Sequence, residues 1–314
     1  MFLTLNEVIR IMILFLIIEV LFLSVKSLFN NDEKKEFHFI KSATSYNIPL
    51  IQKELDELAF SDLPLSPQAS STNHLHKNRN PFRLVSLKNS KDVVPMKNQS
   101  VEPICYINSI ALDSLTIQEK KETFINIMLP SILLAKYKIQ MERKKLLRLS
   151  RKEDLSPKNR RWIEKKKEEF KAKNIDELFK KMELHPTSLI IAQAIVESGW
   201  GTSKFFKNAN NVFGIWSFSP DEQRIVASET RGKKHIYLKK YSTIHQSIYD
   251  YLVTISSVQS YESFQEKRLE TQDPFVLVEH LGKYSERGKS YIADIKNIIR
   301  TNRLTEYDSY KLNL

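Results

Sequence analysis

Apolar positions are distributed unevenly along the chain, and their spacing divides it. Ile11 to Val25 is nearly continuous in Ile, Leu, Phe, Met and Val, broken by Glu19. Ile9 to Phe29 reaches the roughly 20 residues of a spanning helix if Glu19 and Lys26 are tolerated. A secretory signal cleaved near Val25 and Ser27 fits the same run. Residues 1–29 therefore read as a membrane anchor or signal segment, and both readings imply export. The bland alternative is a buried N-terminal helix. Asn30 to about Pro103 is polar, so 30–103 reads as a largely mobile linker. A short helix is expected around Ile51 to Phe60. His74 and His76 have no carboxylate neighbours there and read as solvated loop, not metal ligands.

Helical spacing takes over after the linker. Thr116-Ile-Gln-Glu119 has the form of a capping box. It predicts a helix through Phe124, Met128, Ile132 and Ile139 towards Leu149, bent at Pro130. Ser156-Pro157 opens a second helix with Trp162 and Phe170 inward. Asn174 caps a third, with Ile175, Leu178, Phe179 and Met182 inward. A fourth, from Pro186 and Thr187 to Gly199, is apolar on nearly every face except at Gln193 and Glu197, four apart. Gly201 turns the chain again, and Thr202 is expected to cap the next helix. Arg224 to Tyr241 then alternates with period two around Gly232, predicting a β-hairpin with Ile236 and Leu238 on one face and Tyr237 and Lys239 on the other. Helices resume at Thr243 to Ser256, Pro274 to Leu281 and Ser290 to Arg300. The predicted fold is α+β, mainly α, with a small β-lobe and an N-terminal helical extension. The expected divisions are 104–183 for the basic extension, 184–305 for the catalytic domain and 306–314 for a tail.

Composition adds three points. All six glycines lie from Gly199 onward, while six of the eleven prolines fall between Pro49 and Pro103. Tight turns, and backbone close to a ligand, therefore belong to the C-terminal third. The formal charge of +12 favours an anionic partner, either wall polymer or lipid headgroups. No zinc-finger spacing, phosphate loop or RNA-binding aromatic motif supports nucleic acid. Most charges of the extension read as solvated helix faces. The single cysteine, Cys105, lies in the apolar run Ile104 to Ile107 and reads as a packed hydrophobe. His235, His245 and His280 have no partners at ligand spacing, so neither metal nor cofactor is assigned.

Glu197 carries the candidate chemistry. Burial and the negative end of its helix both raise a carboxyl pKa. A carboxyl still protonated near neutral pH is what a general acid on a sugar leaving group needs. The competing reading is a capping Glu, paired with a Lys or bonded to Asn210 or Asn211. Trp200 beside it fits the wall of a sugar subsite. Glycoside hydrolysis usually uses a second carboxylate. Glu229 in the hairpin is the candidate by placement, ahead of Asp221 and Glu222. Its alternative is an exposed residue paired with Arg231 or Lys233.

Ala192-Gln-Ala-Ile-Val-Glu-Ser-Gly-Trp-Gly-Thr-Ser203, followed by Asn210-Asn-Val-Phe-Gly-Ile-Trp216, resembles the signature of the bacterial glucosaminidases of glycoside hydrolase family 73. Tyr241 to Tyr251 resembles the segment after that family's β-lobe. Tyr284-Ser-Glu-Arg-Gly288 with Tyr291 resembles the tyrosine motif of its Bax-like branch. The likeness runs from about Ser109 to Leu304 in matching order. It implies a lysozyme-like fold, cleavage of peptidoglycan after N-acetylglucosamine, and Glu197 as general acid. It also places Tyr241 and Tyr284 in or near the cleft, where the alternative is core tyrosines with satisfied hydroxyls; Trp200, Asn211 and Phe213 complete the candidate substrate contacts, although Phe213 and Trp216 also read as packing beneath the site. The resulting expectation is a monomer on peptidoglycan strands, anchored in the inner membrane facing the periplasm, or periplasmic if the leader is cleaved. A lytic transglycosylase and a non-catalytic wall-binding module are the alternatives.

Overall fold

The computed structural model describes residues 82–231 and 234–314, with only the backbone at 228–231 and 234–235. The membrane or signal segment, the helix at Ile51 to Phe60 and the histidine pair lie outside these residues. Among the described residues no helix is long and apolar enough to cross a membrane.

The architecture is α+β and mainly α, as the periodicity predicts. Three short strands, β1 (Arg83–Val85), β2 (Ser100–Val101) and β3 (Ile104–Tyr106), precede the first helix. α1 (Ile117–Ser150) starts at the capping box: Glu119 N donates to Thr116 Oγ1, and Thr116 N donates to Glu119 Oε2. It runs through Pro130 without ending, and Ser131 Oγ bonds back to Ile127 O. α2 (Pro157–Phe170) and α3 (Ile175–Lys181) begin at Ser156 and Asn174, as expected. α4 (Thr187–Ser198) is the apolar helix, and α5 (Lys204–Ala209) follows it. The cap of α5 is Ser203, not the expected Thr202; Thr202 Oγ1 is bonded back to Gly199 O instead.

The expected hairpin is β4 (Arg224–Arg231) antiparallel to β5 (Lys234–Lys239), with Val226 opposite Tyr237 and Ile225 opposite Leu238. α6 (Ile244–Ser257), α7 (Glu262–Lys267), α8 (Pro274–Leu277) and α9 (Lys289–Thr301) complete the helical part. A 3-10 turn at Leu304–Ser309 and β6 (Lys311–Leu312) end the chain. One hydrophobic core joins α1 to α4, α6 and α9 through Phe124, Met128, Ile132, Ile190, Ile191, Ile248 and Ile295. Full burial of a side chain such as Phe124 contributes about 1.5–3 kcal/mol.

Two expected boundaries are corrected. The linker does not extend to 103: β1 pairs in parallel with β3, and Leu87 and Val93 are buried in the common core. The residues after 305 are not a loose tail. β6 pairs in parallel with β2, and Asp308 accepts hydrogen bonds from Ser188 N and Ser188 Oγ, both at 2.7 Å. An anion thereby reaches the positive end of α4, where no side chain of the helix itself forms a cap.

Candidate active site

α4 delivers Gln193 and Glu197 to one face, one helical turn apart. Gly199 closes the helix in the left-handed region at φ 57°, followed by Trp200 at 58° and Gly201 at 79°. Gly201 is also a packing requirement, because a Cβ there would lie 2.9 Å from Phe124 Cδ2. The turn is held by Trp200 N donating to Ile195 O and Ser203 N donating to Ser198 O.

Glu197 is partly buried, and its Oε1 accepts a hydrogen bond from Tyr291 Oη at 3.1 Å. Burial raises its carboxyl pKa; the Tyr291 hydroxyl and the charge of Arg287 oppose the rise without cancelling it. No described Lys or Arg forms an ion pair with it. Neither Asn210 nor Asn211 bonds to it. Asn210 joins Ile107 O to Tyr241 O, and Asn211 joins Ile215 O to Lys239 O. The buried Asn211 amide is therefore committed to backbone and lies beneath the site. Phe213 is buried too, stacked on Tyr251 with ring centroids 4.0 Å apart.

The aromatic candidates divide in the same way. Tyr284 stacks on Tyr291 at 5.5 Å and is flanked by Tyr261 and Tyr251, so it buttresses the residue that bonds Glu197. Trp200 is partly exposed. Its ring meets Phe124 edge-on, and Lys121 Nζ lies 5.1 Å from its centroid. Trp216 is not packed beneath the site: it is 43% exposed on the lobe beside Phe218, which is 85% exposed.

Tyr241 belongs to a separate ionic cluster. Its hydroxyl donates to Asp250 Oδ2 at 2.7 Å, and Lys239 Nζ contacts the same oxygen at 2.9 Å. Glu222, second in line as an alternative carboxylate, accepts bonds from Ser217 Oγ, Phe218 N and Ser219 N and faces Lys239. Burial alone would raise its pKa, but these donors hold it below the ordinary range. Asp221 is exposed, and Glu229 is placed on β4 by its backbone.

Four residues with no role in the sequence reading prove to be connected to Glu197: Tyr291, Gln193, Tyr251 and His185. Tyr251 Oη donates to Gln193 Oε1 at 2.5 Å, and Gln193 Nε2 donates to Tyr291 Oη at 3.1 Å. His185 Nε2 lies 3.2 Å from Tyr251 Oη. The pairing of Gln193 with Glu197 on one face was the available signal. Tyr251 closes the segment that begins at Tyr241 without a role of its own there, and nothing local marks His185.

Residues 172–304 match the mannosyl-glycoprotein endo-beta-N-acetylglucosaminidase family. The matched stretch is 133 of the chain's 314 residues. The Escherichia coli K12 protein bax is 27% identical over 186 residues, covering 55% of this chain and 66% of that relative. Among solved structures, the catalytic domain of the Listeria monocytogenes autolysin Auto is 22% identical with a TM-score of 0.34, covering 54% of this chain and 97% of that one. The C-terminally truncated glycoside hydrolase domain of Salmonella typhimurium FlgJ is 17% identical with a TM-score of 0.31, covering 44% and 97%. The glucosaminidase match begins after α2, so α1 lies outside it while packing directly on α4.

Proposed function

We propose that this protein is a peptidoglycan hydrolase, an endo-β-N-acetylglucosaminidase that uses Glu197 as general acid. The observation that carries the reading is the state of Glu197: desolvated, pKa raised, bonded by a tyrosine hydroxyl and paired with no described cation. Such a carboxyl keeps its proton to higher pH and releases it to a glycosidic oxygen as oxocarbenium character develops on the sugar. The Tyr291 hydroxyl then stabilises the carboxylate left behind. Glu229 on β4 is the candidate for activating water. Where no second carboxylate takes part, the substrate's 2-acetamido oxygen fills the nucleophile's role, a recognised exception to the two-carboxylate rule. The exposed pair Trp216 and Phe218, with Trp200, offers apolar faces for sugar rings. The apolar segment Ile11 to Val25 would deliver the domain to the wall side of the membrane.

The test uses full-length protein, wild type and Glu197→Gln, on purified peptidoglycan, with products reduced by borohydride and analysed by mass spectrometry. Reduced N-acetylglucosamine ends from the wild type alone are expected. Anhydro-muramic ends would assign a lytic transglycosylase instead. No products from either protein, with both sedimenting with the wall, would leave a binding module.

A further inference from the structure

The hydrogen bonds behind Glu197 have a direction, and that direction reaches the reacting proton. His185, Tyr251, Gln193, Tyr291 and Glu197 are joined by four successive hydrogen bonds. Each tyrosine has one proton to donate. If Tyr251 gives its proton to Gln193 Oε1, the Gln193 amide donates to Tyr291, and Tyr291 donates to Glu197 Oε1. Tyr251 can then only accept from His185, so Nε2 of that ring carries the hydrogen. The opposite direction requires Gln193 to turn over and His185 to carry its hydrogen on Nδ1.

The surroundings of His185 decide between the two. The ring is fully buried, and Nδ1 has no hydrogen-bond partner. Arg268 and Lys136 are the cations whose charge acts on it. Arg268 is buried behind bonds to Ser256 Oγ and Lys181 O, and its own Nε–H is already a partnerless donor. Lys136 Nζ donates to His185 O and Thr187 Oγ1. A hydrogen on Nδ1 would add a second buried, partnerless donor in a positive field. A bare lone pair there suits that field, and buried donors without partners are rarer than buried acceptors. Burial and the two cations likewise keep the ring neutral.

We propose that His185, as its Nε2–H tautomer, fixes the direction of this chain and so keeps Glu197 Oε1 an acceptor, leaving the carboxyl's transferable proton on Oε2. His185, Tyr251 and Gln193 are positioning residues for the acid assigned under the proposed function, on which the inference rests. After proton transfer the same direction keeps Tyr291 donating to the carboxylate. The groups acting on Glu197 itself are Tyr291 and Arg287; its charge is felt in turn by Tyr251, Tyr261 and Tyr284.

Two measurements on the full-length chain test this. The first is 15N NMR of labelled histidines, with the His185 signals assigned by their loss in His185→Gln. Expected is a neutral ring bare at Nδ1 and unchanged from pH 5 to 8. An Nδ1–H tautomer or a titrating ring overturns the proposal, whether or not the protein cleaves glycan. The second is the pH profile of cleavage for wild type, Tyr251→Phe, His185→Phe and His185→Gln. Without the Tyr251 hydroxyl, the Gln193 amide can turn and accept from Tyr291, which deprives the Glu197 carboxylate of a hydrogen bond. The alkaline limb of kcat/KM should then move up by about one pH unit in Tyr251→Phe, with kcat down about tenfold, while His185→Phe, which leaves Tyr251 its proton and only Gln193 Oε1 in the chain to receive it, should keep the limb close to wild type. His185→Gln, whose amide can still donate to Tyr251, should likewise keep the limb close to wild type. If His185→Phe does not fold, Tyr251→Phe, which loses one oxygen, carries the test. A limb unmoved in folded Tyr251→Phe overturns the positioning role. An inactive wild type overturns the proposed function, and the tautomer still decides the chain's direction.

Discussion

Glu142 and Glu197 both sit on helices and both accept a hydrogen bond from a tyrosine, Tyr249 at 2.8 Å and Tyr291 at 3.1 Å. Their other neighbours differ. Lys166 Nζ lies 2.7 Å from Glu142 Oε1 and 2.8 Å from Tyr249 Oη, and Lys138 sits over the Tyr249 ring. The Glu142 charge is thereby neutralised within the core, and the group is structural. Glu197 has the tyrosine without the lysine. A desolvated carboxyl bonded to no cation keeps its proton to higher pH than a paired one, which is the difference the proposed function draws between a brace and an acid.

The largest effect should come from Glu197→Gln, which keeps the shape and removes the proton donor. Cleavage should fall by about 10²- to 10⁴-fold, read from released muropeptides. The same substitution at Glu142 should leave turnover per folded molecule unchanged; a comparable loss there would erase the distinction. Lys166→Met should turn the brace into an uncompensated buried charge. A destabilisation of about 3–5 kcal/mol is expected in urea unfolding, with no change in the pH profile of the surviving activity.

Tyr291→Phe sharpens the comparison from the other side. It removes the bond that favours the Glu197 carboxylate, so the alkaline limb of activity should rise by about one pH unit. It also strands the buried Gln193 amide, at a cost of about 1–3 kcal/mol. The smallest effect concerns stability against pH. The folded carboxyl pKa of Glu197 lies above its unfolded value, so its contribution is full below the ordinary carboxylate range. That contribution is lost as pH rises through the raised value. Glu197→Gln cannot ionise, so it should melt higher than wild type near neutral pH, and the gap should close on acidification. A gap that widens on acidification would mean the carboxylate, not the acid, is the favoured native form.

Much of the helical part was legible because its signals are local. Thr116 with Glu119, Ser156 before Pro157, and Asn174 each mark a helix start within four residues. The hairpin was legible from alternation about Gly232, and the candidate carboxylate from the position of Glu197 before Gly199. The boundary at 103 was misread because β1 and β2 are three and two residues long, too short to show a strand's alternation. They are strands only because β3 and β6 lie beside them. Asn211 and Phe213 stood inside a recognisable motif, yet a motif records that residues are needed, not whether they touch substrate or backbone.

The sequence by itself determined where the helices begin, where the hairpin turns and which carboxylate ends the apolar helix, since each depends on neighbours within a turn. Only the tertiary structure decided what surrounds that carboxylate. Tyr291 reaches Glu197 from 94 positions away, Tyr251 reaches Gln193 from 58, and His185 meets Tyr251 across 66. Whether a buried glutamate becomes an acid or a brace rests on which distant side chain the packing brings to it, a tyrosine alone or a tyrosine with a lysine. Electrostatic energy depends on distance through space, and spacing along the chain does not encode it.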